Sequence, residues 1–166
     1  MFFTSSLESL VQSLRKTDET KFQHLESIIR LRYRGADFKL LLRKGVFSYE
    51  FLNFFDKFNE RTLPGRKAYF STFRGEECLQ VDYDYAQRVW TVFNCRSIAD
   101  YLKLYLASDV CQLADVFKNF RSICHQNYEL DPAYIVSAPQ LELNVQIPRA
   151  RTRVYQRSGN VPDDSA

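Results

Sequence analysis

A mainly α fold is what this sequence predicts, on three observations. Between Leu102 and Cys124 the apolar residues Leu102, Leu106, Val110, Leu113, Phe117, Phe120 and Cys124 recur at alternating spacings of three and four, which is the period of one face of a helix. Helix-start signals stand before each periodic run: Ser5 with Glu8, Thr17 with Asp18, Asp82, and Ser97 with Asp100. Prolines at 132, 139, 148 and 162 then rule out further long helices, because proline lacks the amide donor that a helix interior needs.

The elements follow in order. Leu7, Leu10, Val11 and Leu14 mark a first amphipathic helix behind the Ser5 and Glu8 capping box. Phe22, Leu25, Ile28 and Ile29 mark a second, which runs into RLRYRG and stops at Gly35. The stretch from Gly45 to Gly75 is broken by Pro64 and Gly65, and a short helix is expected over 48–59 within its aromatic cluster. A third helix opens at Asp82, carries Ala86, Val89, Trp90 and Phe93 on one face and ends near Asn94. The run from Leu102 to Cys124 reads as one long helix with its apolar stripe buried, and Asp115, away from that stripe, reads as a solvated charge. Leu141, Leu143, Val145 and Ile147 alternate with Glu142, Asn144 and Gln146, the pattern of a short half-buried strand over 141–147. From Arg149 onward, four arginines and two closing aspartates read as disordered.

A chain of 166 residues suits one domain and a tail. With 45% hydrophobic and 26% charged residues it is globular in composition, and with 14 Phe and 10 Tyr its core should be aromatic. Cys78, Cys95, Cys111 and Cys124 include no CxxC pair, and only His24 and His125 could join them, which excludes a zinc site and points to free thiols in a reducing compartment. No apolar run is long enough for a membrane span, and the N-terminus lacks the basic start of a signal peptide, so a soluble intracellular chain without membrane partners is expected. Motifs for a nucleophilic serine, a phosphate-binding loop and a zinc protease are absent.

Two features carry chemistry. Arg30, Arg32, Arg34, Lys39, Arg43 and Lys44 face a single acid, Asp37, between positions 30 and 44; such a block contacts phosphates, with Tyr33 and Phe38 available for stacking, or serves as a solvated helix end and loop. Tyr105 and Asp109 lie one helical turn apart on one face. A carboxylate there can ligate Mg²⁺ and a neighbouring phenol can orient a water toward a phosphodiester, although two-metal hydrolysis needs several acids around its ions. The same spacing occurs at Tyr33 and Asp37, where Gly35 interrupts the helix.

The runs DYDYAQRVW (82–90), FNCRSIADYLKLYLASDV, LADVFKNFR and YELDPAY, with GVFSYEF and LPGRKAYFS upstream, closely resemble the protein-primed family B DNA polymerases of linear plasmids, viruses and self-synthesising transposons. The likeness is collinear from Ser5 to Tyr134. It implies that residues 1–134 are the helical C-terminal portion of a ribonuclease H-like α/β exonuclease domain, and that 135–166 form a divergent tail. In that family the Tyr and Asp pair is the third motif of the 3′–5′ exonuclease, so Asp109 would ligate Mg²⁺ and Tyr105 would orient the water or the scissile phosphate. The first motif, DxE, is absent, the second is met only by a near miss at Asn53 to Asp56, and the DTD of the polymerase palm does not occur.

The expectation is a fragment of a DNA-directed DNA polymerase, inactive alone, with DNA and the remainder of a polymerase chain as partners. The alternative is a non-catalytic nucleic-acid-binding or helical interaction module derived from a mobile element. For a helix stripe without its sheet, self-association is expected.

Overall fold

The computed structural model describes residues 5–72 and 75–135. The strand expected over 141–147 and the tail from Arg149 lie outside these residues. Four α-helices carry the described chain: α1 (Leu7–Thr17), α2 (Gln23–Arg32), α3 (Gln80–Val92) and α4 (Ile98–Tyr128). Single 3₁₀ turns stand at Glu19–Lys21, Phe38–Leu41, Phe55–Asn59, Arg66–Tyr69 and Pro132–Tyr134. Among the described residues the nearest thing to a strand is one antiparallel bridge between Ser71 and Glu76. No described helix is long and apolar enough to cross a membrane, and all four cysteines are free thiols.

The chain divides into two compact units. The larger, Ser5–Asn119, holds α1 to α3 and most of α4. In the other, which includes Phe120 onward, Arg121 holds Asp131 through Nε at 2.9 Å and Nη2 at 2.5 Å, and Asp131 in turn caps the turn at Pro132 through the Ala133 amide. The Asp131 carboxyl is held below the usual range, first by the Arg121 hydrogen bonds and then by the Ala133 amide.

In the larger unit local signals set the helix ends. Ser6, one residue after the expected Ser5, caps α1 by accepting from the Ser9 amide at 3.3 Å. Gly35 adopts φ +82 just beyond α2, a left-handed conformation that costs glycine little. Ser97 and Asp100 cap α4 as their spacing predicts, the Asp100 amide donating to Ser97 Oγ at 3.2 Å. α3 starts earlier than expected, at Gln80, because Asp82 is not its cap: that carboxylate instead pairs with Arg43 at 2.6 Å. In place of a helix over 48–59 there is only the 3₁₀ turn Phe55–Asn59, and Phe54 and Phe55 of the aromatic cluster are exposed.

α4, 31 residues and about 46 Å long, buries only part of its apolar stripe: Cys124 is buried and Leu102, Phe117 and Phe120 are half-buried, but the middle of the stripe faces outward. Leu106, Val110 and Leu113 are 50%, 66% and 48% exposed. The buried face is instead Tyr101, Leu104, Tyr105, Ser108, Cys111, Gln112, Asp115 and Val116. It wins because Tyr101, Gln112 and Asp115 find backbone partners there. Gln112 Nε2 donates to the carbonyl of Leu41 and, at 3.2 Å, to that of Arg43, and the Tyr101 hydroxyl donates to the Val46 carbonyl at 2.7 Å. Hydrophobic periodicity counts none of these bonds.

Asp115 carries the largest share of this arrangement. Far from solvated, it is 1% exposed and accepts from the His24 amide at 3.0 Å, the Leu25 amide at 3.1 Å and His24 Nδ1 at 2.6 Å. α2 has Phe22 at its N-cap position, a residue with no oxygen to offer and itself fully buried, so the free amides of its first turn are capped from α4, 90 residues away. Lys118 to Gln23 and Lys21 to Asn119, at 2.9 and 2.7 Å, frame the junction.

Removing this carboxylate strands the buried Leu25 amide and the partly buried His24 amide at once. Asp115→Ala is expected to destabilise the fold by about 2 to 4 kcal/mol in urea unfolding. Asp84→Ala, on the exposed face of α3, should change stability by less than about 0.5 kcal/mol.

Candidate functional site

α4 places Tyr105 and Asp109 on one face, as their spacing requires, between its buried side and the exposed Leu106, Val110 and Leu113. Tyr105 is 7% exposed and held from three directions. Its hydroxyl shares a hydrogen bond of 2.6 Å with that of Tyr49, its ring lies 5.3 Å from Phe47 and 6.0 Å from Tyr49, and Gly45 lies against its edge. Phe47 also stacks on Tyr101 at 5.9 Å. Segment 45–49 therefore fixes the phenol, a role for GVFSYEF that no spacing rule reveals.

Gly45 is there because a Cβ would sit 2.5 Å from Tyr105 Cδ2 and 2.6 Å from Cε2. No other residue fits without moving the ring. Burial raises the Tyr105 hydroxyl well above the usual phenol range, with the Tyr49 hydrogen bond and the Asp109 charge adding to it. It stays protonated at neutral pH and acts as a donor or a positioning group rather than as a base.

Asp109 Oδ1 is buried without a hydrogen-bond partner among the described residues. Burial raises its carboxyl above the usual range, opposed in part by the Tyr105 hydroxyl and the Lys44 charge. Such an oxygen is what a cation would satisfy. Yet no group of three His, Cys, Asp or Glu residues among those described stands together to hold a metal ion. One carboxylate beside a lysine is not a metal centre, and no hydrolytic step follows from it.

The six cations expected at DNA are dispersed. Arg30 pairs with Glu26 at 2.6 Å, Lys39 with Glu19 at 3.3 Å, and Arg43 with Asp82 while lying 4.2 Å over the Tyr85 ring. Lys44 acts on Asp109, and Arg32 and Arg34 line a separate cavity. Sequence reasoning missed Tyr49 and Gly45 at Tyr105, and missed Arg96 and Lys103, which join Arg32 and Arg34 across some sixty positions of chain.

Comparison with protein-family models, curated proteins and solved structures finds no match to this chain.

Two outcomes test this geometry. Gly45→Ala should cost about 1 to 3 kcal/mol by displacing the Tyr105 ring, read as a lower urea midpoint and a changed near-ultraviolet circular dichroism. Because the folded state raises the Asp109 pKa, it binds this proton more readily than the unfolded chain does. Asp109 therefore lowers stability as pH rises from its unfolded to its folded pKa, and the deficit is complete above the latter. Asp109→Asn should raise Tm at pH 7, with the gain vanishing below about pH 4.

Proposed function

We propose that this chain is the helical, third-motif portion of the 3′–5′ exonuclease domain of a protein-primed family B DNA polymerase, without nuclease activity of its own. The observation that carries the reading is Asp109 Oδ1, a buried carboxylate oxygen lacking a partner among the described residues, beside a phenol locked in place by Tyr49 and Gly45. A protein tolerates such a destabilising atom where it serves a function.

The exposed stripe supports the same reading. Leu106, Val110 and Leu113 form an apolar ridge immediately beside Asp109, the surface on which a ribonuclease H-like sheet would pack and bring its own acids to the pair. In such an assembly Asp109 would be one carboxylate ligand of a Mg²⁺ ion whose remaining acids the sheet would have to bring, and Tyr105 would orient the water or the phosphate.

Sequencing the native transcript through both flanks of this reading frame tests the assignment. The expected result is one continuous reading frame with a DxE-bearing segment upstream of this chain and a DTD-bearing palm downstream of it; flanks with neither motif would sink it. The chain itself, incubated with 3′-labelled single-stranded DNA and Mg²⁺ or Mn²⁺, should leave the DNA intact. Stepwise 3′ shortening that disappears in Asp109→Ala would refute the claim of inactivity.

A further inference from the structure

The α2 C-terminus, the α3 to α4 turn and the first two turns of α4 line an open cavity of about 520 Å³, apart from the Tyr105 and Asp109 pair. Arg32 and Arg34 line it from one side, and Arg96 and Lys103 from the other, with Asp100 the single acid. None of the four cations makes an ion pair with a described residue, in contrast to Arg30, Lys39 and Arg43 of the same basic block. Asp100 is itself engaged, its carboxylate accepting from the Arg96 amide at 3.2 Å to close the α4 cap.

The charge balance decides what fits. The C-termini of α2 and α3 each bring about half a negative charge and the α4 N-terminus about half a positive one, which with Asp100 still leaves a surplus of about two and a half positive charges. Three of the four cations are guanidinium groups, whose planar forks match the oxygens of a phosphoryl group. Tyr33 and Phe93 form an aromatic wall, with ring centroids 5.4 Å apart at 85°. Phe93 is buried and buttresses Tyr33, which is partly exposed and can take a base against its ring. The volume lies within the range of about 300 to 1,000 Å³ usual for small-molecule sites.

We propose that this cavity binds a nucleoside phosphate, its phosphoryl group among Arg32, Arg34, Arg96 and Lys103 and its base against Tyr33. The same chemistry is offered by a free nucleotide and by the phosphorylated end of a single strand. The site stands apart from Tyr105 and Asp109: Lys103 and Tyr105 are about 200° apart around α4. It holds whether or not the exonuclease reading does.

The test uses the full chain and two fluorescent probes: N-methylanthraniloyl-labelled deoxyadenosine 5′-monophosphate, and a 3′-fluorescein decathymidylate with or without a 5′-phosphate. At least one probe should bind and be weakened about tenfold or more by Arg96→Glu and by Arg34→Glu, with a smaller dependence of affinity on salt. Lys16→Glu, the same charge change on exposed α1, should leave binding as it is. Arg34 stands outside the α4 cap, so its variant reads the site even where Arg96→Glu loosens that turn, and Arg96→Lys should restore most of the binding.

Nucleotide binding without preference for the strand's 5′-phosphate identifies a free nucleotide as ligand; preference for the phosphorylated strand identifies a strand end. Either supports the site. Absence of binding by both probes, or reversals at Arg34 and Arg96 that act no more strongly than Lys16→Glu, would overturn it.

Discussion

The buried carboxylate of Asp115 is the constraint on which the larger unit depends. It sits on α4, yet its partners are the amides of His24 and Leu25 in the first turn of α2. A helix whose N-cap residue is a buried phenylalanine cannot close its own end, so α2 forms stably only where α4 supplies the acceptor. This coupling fixes the rotation of α4. Once Asp115 faces α2, helical geometry brings Gln112 to the carbonyls of Leu41 and Arg43 and Tyr101 to that of Val46, and the Leu106, Val110 and Leu113 ridge is left outward.

The same rotation explains both sites. With the polar and aromatic face inward, Tyr105 is clamped by segment 45–49 while Asp109 falls at the margin, part of it buried and one oxygen unsatisfied. Lys103 and Asp100, on a further side of the helix, meet the ends of α2 and α3. One orientation of one helix thus separates a carboxylate site from a cationic cavity.

Much of the helical framework is legible in the sequence, because capping and periodicity are local. Ser97 with Asp100 announces the start of α4, and Leu25 with Ile29 announces the buried face of α2. The burial of α4 is not legible. Leucine and valine spacing points to one face, and the face that is buried carries Gln112 and Asp115, whose value lies in bonds to chain 70 to 90 residues away. The cavity is hidden for a similar reason. Arg32 and Arg34 look like part of a continuous basic block, whereas the structure neutralises Arg30, Lys39 and Arg43 with acids of their own, sets Lys44 near Asp109, and joins Arg32 and Arg34 to Arg96 and Lys103.

A helix with distinct work on each side is also intolerant of changes in its length. One residue inserted between Tyr101 and Asp115 would turn everything on one side of it by about 100° relative to the other. The cap on α2, the clamp on Tyr105 and the wall of the cavity could no longer be satisfied together. Substitutions across this segment can be absorbed one at a time, but the register cannot. A gene drifting without selection gains and loses codons as freely here as in its loops, whereas one kept for either site would hold the count between Ser97 and Asp115 fixed while its loops vary in length. The spacing of α4 is thus a record of whether the folded product has been used.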